Sequence, residues 1–105
     1  MSTYALISVS DVAWQERQPG VRSKPLWPAT ARRAAMTRLE PGAKLPRHHH
    51  VGDGLVFVVE RAIADEFGTV TAGNIGYRPD GCVHSVTTVN GATVLAVIWG
   101  HIEPI

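Results

Sequence analysis

The chain holds one cysteine, Cys82. No disulfide can close within it, a composition that suits a reducing, cytoplasmic setting. Long apolar runs are missing as well. No stretch approaches the roughly 18 uninterrupted apolar residues of a membrane-spanning helix, so no span is expected. Met1 to Val9 lacks the charged start and apolar core of a secretory leader, and none is expected. Basic runs are equally scarce. Arg32-Arg33 is the one adjacent cationic pair and the net charge is +1, which argues against nucleic acid as a partner. Helical periodicity is absent: Ala29–Ala35 could supply a single turn and no more. Repeats and low-complexity tracts do not occur.

What is there is a globular composition, with 45% apolar and 18% charged residues. A chain of 105 residues has room for one domain. A core of that size buries limited surface, so association into a homodimer is expected.

Short apolar segments alternate with turn residues. Ala5–Val9 is a first β-like run. Asp11–Pro28, rich in Pro, Gly and charge, reads as a long loop pinned by Trp14 and Trp27. Met36–Leu39 reads as a strand ended by Pro41-Gly42. Leu55–Val59 is wholly apolar and suits a strand buried on both faces, whereas Arg61–Phe67 alternates and suits a half-buried one. Pro79-Asp80-Gly81 is a turn, since Pro presets φ and Gly accepts a positive one. Cys82–Val89 has strand character, Asn90-Gly91 signals a two-residue hairpin, and Ala92–Trp99 is the last long strand. Many short strands between turns predict an all-β sandwich or barrel.

The chemistry concentrates in histidine. Of five histidines, three are consecutive: His48, His49 and His50. Side chains alternate along a strand, so His48 and His50 share a face and His49 takes the other. Two imidazoles two residues apart can reach one metal ion, and a third ligand must come from elsewhere. His84, on a predicted strand just after a tight turn, is the best candidate; His101, near the C-terminus, is less well placed. Taken separately, a histidine run is as readily a solvated tract and a single histidine a satisfied core residue. Their shared setting favours a site.

That setting resembles the cupin superfamily. Gly42, five residues, then His48-His49-His50 and a later Gly54 follow its first motif. Gly73, five residues, then Pro79-Asp80-Gly81 and His84 follow its second, with Thr88 where the family carries asparagine. Within cupins the chain is most similar to the ChrR-like cupin domain, which also occurs in dihydroxyacetophenone dioxygenase-like proteins. Trp14, Pro19-Gly20-Val21, Val58-Val59-Glu60, Asp65-Glu66 and Tyr77-Arg78-Pro79 carry that similarity. It implies a single small cupin barrel, a double-stranded β-helix or jelly roll, over residues 1–105. Residues 1–30 would form a strand-and-loop extension packed on it.

The resemblance also implies one divalent transition metal on His48, His50 and His84, with Zn, Fe, Ni and Mn not distinguished. The family's metal-binding glutamate falls at Gly54, which has no side chain. Asp53, one position early, is a secondary fourth-ligand candidate, and so is Cys82, two residues before His84; a buried, inert thiol is the favoured reading of Cys82. Three neutral ligands leave open positions and a larger net positive charge, suited to an anionic group or hydroxide. Water on such an ion can titrate near about 7. Gly54→Glu is expected to tighten metal binding. Tyr77, Phe57 and Trp99 read as packing residues, Arg38 and Arg78 as solvated strand residues, and Glu60 as a strand end outside the pocket. The expected function is a metal-dependent oxygenase on a small organic substrate. The alternative is a non-catalytic metal- or ligand-binding sensor of the ChrR type. An anti-sigma role is not expected, because the domain that contacts the sigma factor in that family is not part of these residues.

Overall fold

Turn residues set the rhythm of the fold, and strand parity sets what faces inward. The computed structural model describes residues 6–28 and 32–105. Ten strands run through them: β1 Gln15–Gln18, β2 Val21–Pro28, β3 Arg32–Leu39, β4 Lys44–Val51, β5 Gly54–Asp65, β6 Gly68–Thr71, β7 Ile75–Arg78, β8 Val83–Thr87, β9 Ala92–Trp99 and β10 His101–Pro104. The single helical element among the described residues is a 3₁₀ turn at Val9–Asp11.

All pairings are antiparallel and build two walls. The first runs β1-β2-β3-β9-β5-β7, and the second runs β10-β4-β8-β5-β6. β5 belongs to both, and its twelve residues have to turn a corner. Gly54–Val58 pair with β9 in the first wall, while Ala62–Asp65 pair with β6 in the second. Between them a bulge spans Val58 to Glu60, and Arg61 takes a φ of +64°. A bulge adds local twist and bends a strand, which is how one strand feeds two sheets here. The curled sheet is the expected cupin jelly roll, closed over an apolar core of Val21, Leu39, Val58, Ile63, Val86, Ala92 and Val94. Val58 is fully enclosed; truncating it to Ala should cost about 2 kcal/mol.

The walls cross where β4 hands over to β5 and β9 to β10. A Cβ on Gly52 would overlap the Trp99 carbonyl oxygen, and one on Gly100 the Val51 carbonyl oxygen. Both glycines also have positive φ, so no other residue fits either position without moving backbone.

Several sequence expectations change. Leu6–Ser8 form no strand and Val9 opens the 3₁₀ turn, so the run expected from Ala5 is not a strand; Ala5 itself lies outside the described residues. The loop expected over Asp11–Pro28 contains the β1–β2 hairpin. Pro19-Gly20 is its turn, with Gly20 at φ +79°, and Pro25 sits at a bulge. Polar residues and proline at a bulge are what an edge hairpin carries. Arg32–Ala35 are strand, not helical turn, and residues 29–31 lie outside the described part. Leu55–Val59 is half-buried, because its outer side has no covering layer: Val59 is 43% exposed. Tyr77 and Trp99 are exposed rather than packed. Asn90-Gly91 makes a turn, with Gly91 at φ +87°, but it joins β8 to β9 across the two walls and not as a hairpin.

Candidate metal centre

Strand register brings the histidines together. His48 and His84 are direct cross-strand partners on β4 and β8, the closest relation two strands offer. His50, two residues on, shares the face of His48. Its backbone is fixed to the second-motif turn: His50 N donates to the Cys82 carbonyl and Gly81 N donates to the His50 carbonyl, both at 2.8 Å. Ring centroids lie 5.1 Å apart for His48 and His50, 4.5 Å for His48 and His84, and 5.0 Å for His50 and His84. One nitrogen from each ring falls within 4.8 Å of the other two. His49 points the other way, toward Glu103 of β10, with His49 Nδ1 3.6 Å from a carboxylate oxygen.

The second ring nitrogen of each histidine fixes its tautomer. His84 Nδ1 donates to Asp65 Oδ2 at 2.9 Å. A carboxylate only accepts, so Nδ1 carries the proton and Nε2 is free to ligate. Asp65 is itself held three ways: its side chain pairs with Arg78 Nη2, receives His84, and takes the Phe67 amide at 2.8 Å. Burial pushes the Asp65 carboxyl up, but the His84 and Phe67 hydrogen bonds and the Arg78 charge outweigh it and hold the carboxyl below its usual value. His48 Nδ1 donates to the Pro46 carbonyl at 2.8 Å, leaving Nε2 inward. His50 Nε2 stands 2.9 Å from His84 Nε2, and His50 Nδ1 is buried without any partner. Burial and the neighbouring His84, His48 and Arg78 depress the His50 pKa to about 4; burial is also the main cause lowering His48.

These features fit a divalent cation. Two facing Nε2 atoms at 2.9 Å need something between them, a shared proton or a cation. Zinc–imidazole bonds of about 2.0–2.1 Å would ask that pair to open by only a few tenths of an ångström. Imidazole donors suit Zn, Fe and Ni among others.

The other sequence candidates stand elsewhere. Asp53 is exposed, and its Oδ1 accepts from the Asp80 amide at 2.9 Å, tying two turns together. Cys82 precedes β8 and is not grouped with the histidines; burial raises its thiol pKa. His101 is exposed and bonds Glu103 at 3.1 Å. Glu60 lies on the outside of the bulge. Gly54 does sit against the cluster: a Cβ there would stand 3.2 Å from His50 Nδ1.

Asp65 and Arg78 are the residues that sequence reasoning missed. Arg78, expected to be solvated, is mostly buried at 14% side-chain exposure. A signal existed for Asp65: it follows Ile63 by two residues on an alternating strand, so it shares the inward face.

The histidines open into a cavity of about 640 Å³. Its walls are mainly apolar, including Leu45, Val56, Ile63, Val86, Ala96 and Ile98. An apolar chamber of this kind would hold a small organic molecule beside any cation that the three histidines bind.

The ChrR cupin-like domain profile matches residues 2–103. The chain belongs to that family. Among curated proteins none matches it. Solved structures similar to this cupin include an RmlC-like cupin of Ralstonia eutropha JMP134, at 18% identity and TM-score 0.85, covering 95% of this chain and 71% of that one. An acetylacetone dioxygenase of Acinetobacter johnsonii matches at 19% identity and TM-score 0.82, covering 100% of this chain and 78% of the other. The Rhodobacter sphaeroides complex of SigE with the anti-sigma ChrR matches at 26% identity and TM-score 0.77, over 87% of this cupin and 50% of that chain. The cupin therefore spans half the length of that last relative.

Proposed function

We propose that this cupin is a metal-dependent oxygenase of a small organic substrate, with His48, His50 and His84 as its metal ligands. The observation that carries it is the convergence of the three rings on one point at the wall of an apolar cavity. A bound divalent ion supplies a Lewis acid with positions left for water, dioxygen or substrate. Asp65 holds the His84 tautomer, the Pro46 carbonyl holds that of His48, and the cavity walls exclude water from a bound substrate. The fold shared with an acetylacetone dioxygenase supports this reading.

A sensor or regulatory module is the second reading, favoured by the higher identity to the ChrR complex. Metal analysis of protein purified without a tag or added metal, followed by oxygen uptake with acetylacetone on the iron(II)-loaded protein, separates them. Metal at one equivalent with substrate-dependent uptake supports the oxygenase. Metal without uptake across a panel of small carbonyl compounds and medium-length carboxylic acids supports the sensor, and no metal at all overturns the oxygenase and leaves only a ligand-binding module.

We also propose a homodimer. Met36, Leu95, Phe57 and Ile75 form one apolar row across four strands of the first wall. With Val97 and Tyr77 they leave an apolar outer surface, on which Ile75 is 61% and Tyr77 55% exposed, that a second copy would cover. A reducing, cytoplasmic setting suits the single thiol, and no helix among the described residues is long and apolar enough to cross a membrane. Light scattering that gives a concentration-independent monomer overturns the dimer.

A further inference from the structure

The cavity has a second polar feature, set apart from the histidines. Arg17 of β1, Ser23 of β2 and Thr37 of β3 all line it. The register sets Ser23 beside Thr37, and Arg17 Nε donates to Ser23 Oγ at 2.6 Å. Ser23 is buried although polar. Apart from Arg33 and Arg78, which lie elsewhere on this wall, the lining here is apolar, so a guanidinium hydrogen-bonded to one of two adjacent hydroxyls stands out chemically.

The charge balance of the cavity points the same way. Arg17, Arg33 and Arg78 line it, and no carboxylate does. Arg78 is neutralised by Asp65. Among the described residues neither Arg17 nor Arg33 has a carboxylate partner. A cation at the edge of an apolar chamber attracts an anion, and a guanidinium offers a planar carboxylate paired donors.

The two arginines differ in place. Arg33 pairs with Ile98, which pairs with Gly54, so it stands in the row that touches His50. Thr37 pairs with Val94, which pairs with Val58. Four residues along β5 separate those rows, about 13 Å at the usual strand rise. Between them Ala35, Ala96 and Val56 form one apolar row. Arg17 is braced by a wall hydroxyl; no side-chain hydrogen bond braces Arg33 among the described residues.

We propose that Arg17, with the hydroxyls of Ser23 and Thr37, binds the carboxylate of an amphipathic acid whose apolar body lies along β3 and β9 and whose far end reaches the histidines. The substrate class is thus a medium-length carboxylic acid. The inference rests on the proposed function for the meaning of the far end, but the carboxylate subsite can be tested without metal.

The probes are octanoate and its neutral counterpart octanol, titrated by calorimetry and by Trp fluorescence into the full chain freed of metal by chelation. Trp27 lines the cavity and reports occupancy. Octanoate should bind about tenfold more tightly than octanol, the scale of one charge-assisted carboxylate contact. Arg17→Gln should abolish that preference, Arg17→Lys should keep most of it, and Arg33→Gln should leave it within about threefold. Zinc content of Arg17→Gln after reloading should equal that of the parent. Equal binding of octanoate and octanol overturns the proposal, as does a preference that survives Arg17→Gln or vanishes in Arg33→Gln. A chain that prefers octanoate yet takes up no metal sinks the oxygenase reading and leaves this subsite standing. A chain that loads metal with no preference does the reverse.

Discussion

His84 and His50 face each other across 2.9 Å, yet they are held in opposite ways. Behind His84 stands a buried, charged chain: Asp65 accepts a hydrogen bond from its Nδ1 and Arg78 balances Asp65. Behind His50 no such chain stands among the described residues: its Nδ1 has no hydrogen-bond partner, and Gly54, which lies against that ring, has no side chain. Negative charge therefore reaches the histidine cluster indirectly, through a carboxylate bonded to His84, and not through a carboxylate at Gly54. The β8 side is braced by hydrogen bonds and electrostatically tuned. The β4 side is positioned by backbone and by packing alone.

The largest test of that comparison removes the rings themselves. His48→Ala, His50→Ala and His84→Ala should each lower zinc affinity by more than the roughly 100-fold reached by losing a partner of a ligand. His49→Ala should change it by less than twofold, because His49 faces Glu103. Calorimetric titration of the four apo variants reads this, and equal losses from His49→Ala and His50→Ala would break the face assignment.

Next comes the carboxylate. Asp65→Asn should weaken zinc binding about 10- to 100-fold, since His84 exchanges a charged, acceptor-only partner for a neutral amide. It should also lower the melting temperature, because Arg78 is left buried without counter-charge. The double change Asp65→Asn with Arg78→Met removes both charges and should recover stability without recovering metal affinity. Recovery of both would mean that Asp65 serves the fold alone.

Acid gives the third test, on the metal-free chain. The His50 pKa is depressed from 6.5 to about 4. The unfolded chain then binds more protons than the folded one between those values, so stability falls as pH drops through that window and levels off for this group below it. His48 is shifted in the same direction. Asp65, whose carboxyl is lowered in the fold, adds a further loss at lower pH as it protonates. The melting temperature should fall between pH 7 and pH 5, and His50→Phe should flatten the decline. An unchanged slope in that variant would place the sensitive group elsewhere.

The all-β class and the histidine candidates were legible from local rules, and the resemblance of the two motifs to cupins supplied the barrel and the grouping of the three rings. Strand parity separates His49 from His48 and His50, and the Pro79–Gly81 turn points to His84. The N-terminal hairpin was read as loop because edge strands carry the same polar, proline-containing composition as loops. Asn90-Gly91 is a turn, but its local chemistry says nothing about which wall receives the next strand. Asp65 and Arg78 lie 13 residues apart on separate strands, and their pairing depends on β5 crossing between walls at Arg61. Parity with Ile63 was a signal for Asp65 that went unused; finding its partners required the fold.

The smallest expected effect lies at Gly54. A positive φ is not what keeps glycine there: Gly54 opens β5 and lies outside the left-handed set. What a side chain would meet is His50, with a Cβ 3.2 Å from Nδ1 and 3.3 Å from Cε1. That is tight, and His50 Nδ1 has no hydrogen bond to resist a tilt. Gly54→Ala should therefore shift the ring by a few tenths of an ångström and weaken zinc binding by only about threefold, less than losing a partner of a ligand costs. Stability should hold or rise slightly, because alanine restricts the unfolded chain. Gly54→Glu crowds His50 equally but adds a carboxylate beside the cation, where the charge of the ion dominates. It should bind zinc more tightly than Gly54→Ala, and more tightly than the parent if the carboxylate reaches the metal. Titrating the three proteins in one buffer isolates crowding from charge. If the glutamate variant is folded and binds no better than the alanine variant, Gly54 does not mark the position of a missing ligand, and the open side of the centre belongs to substrate.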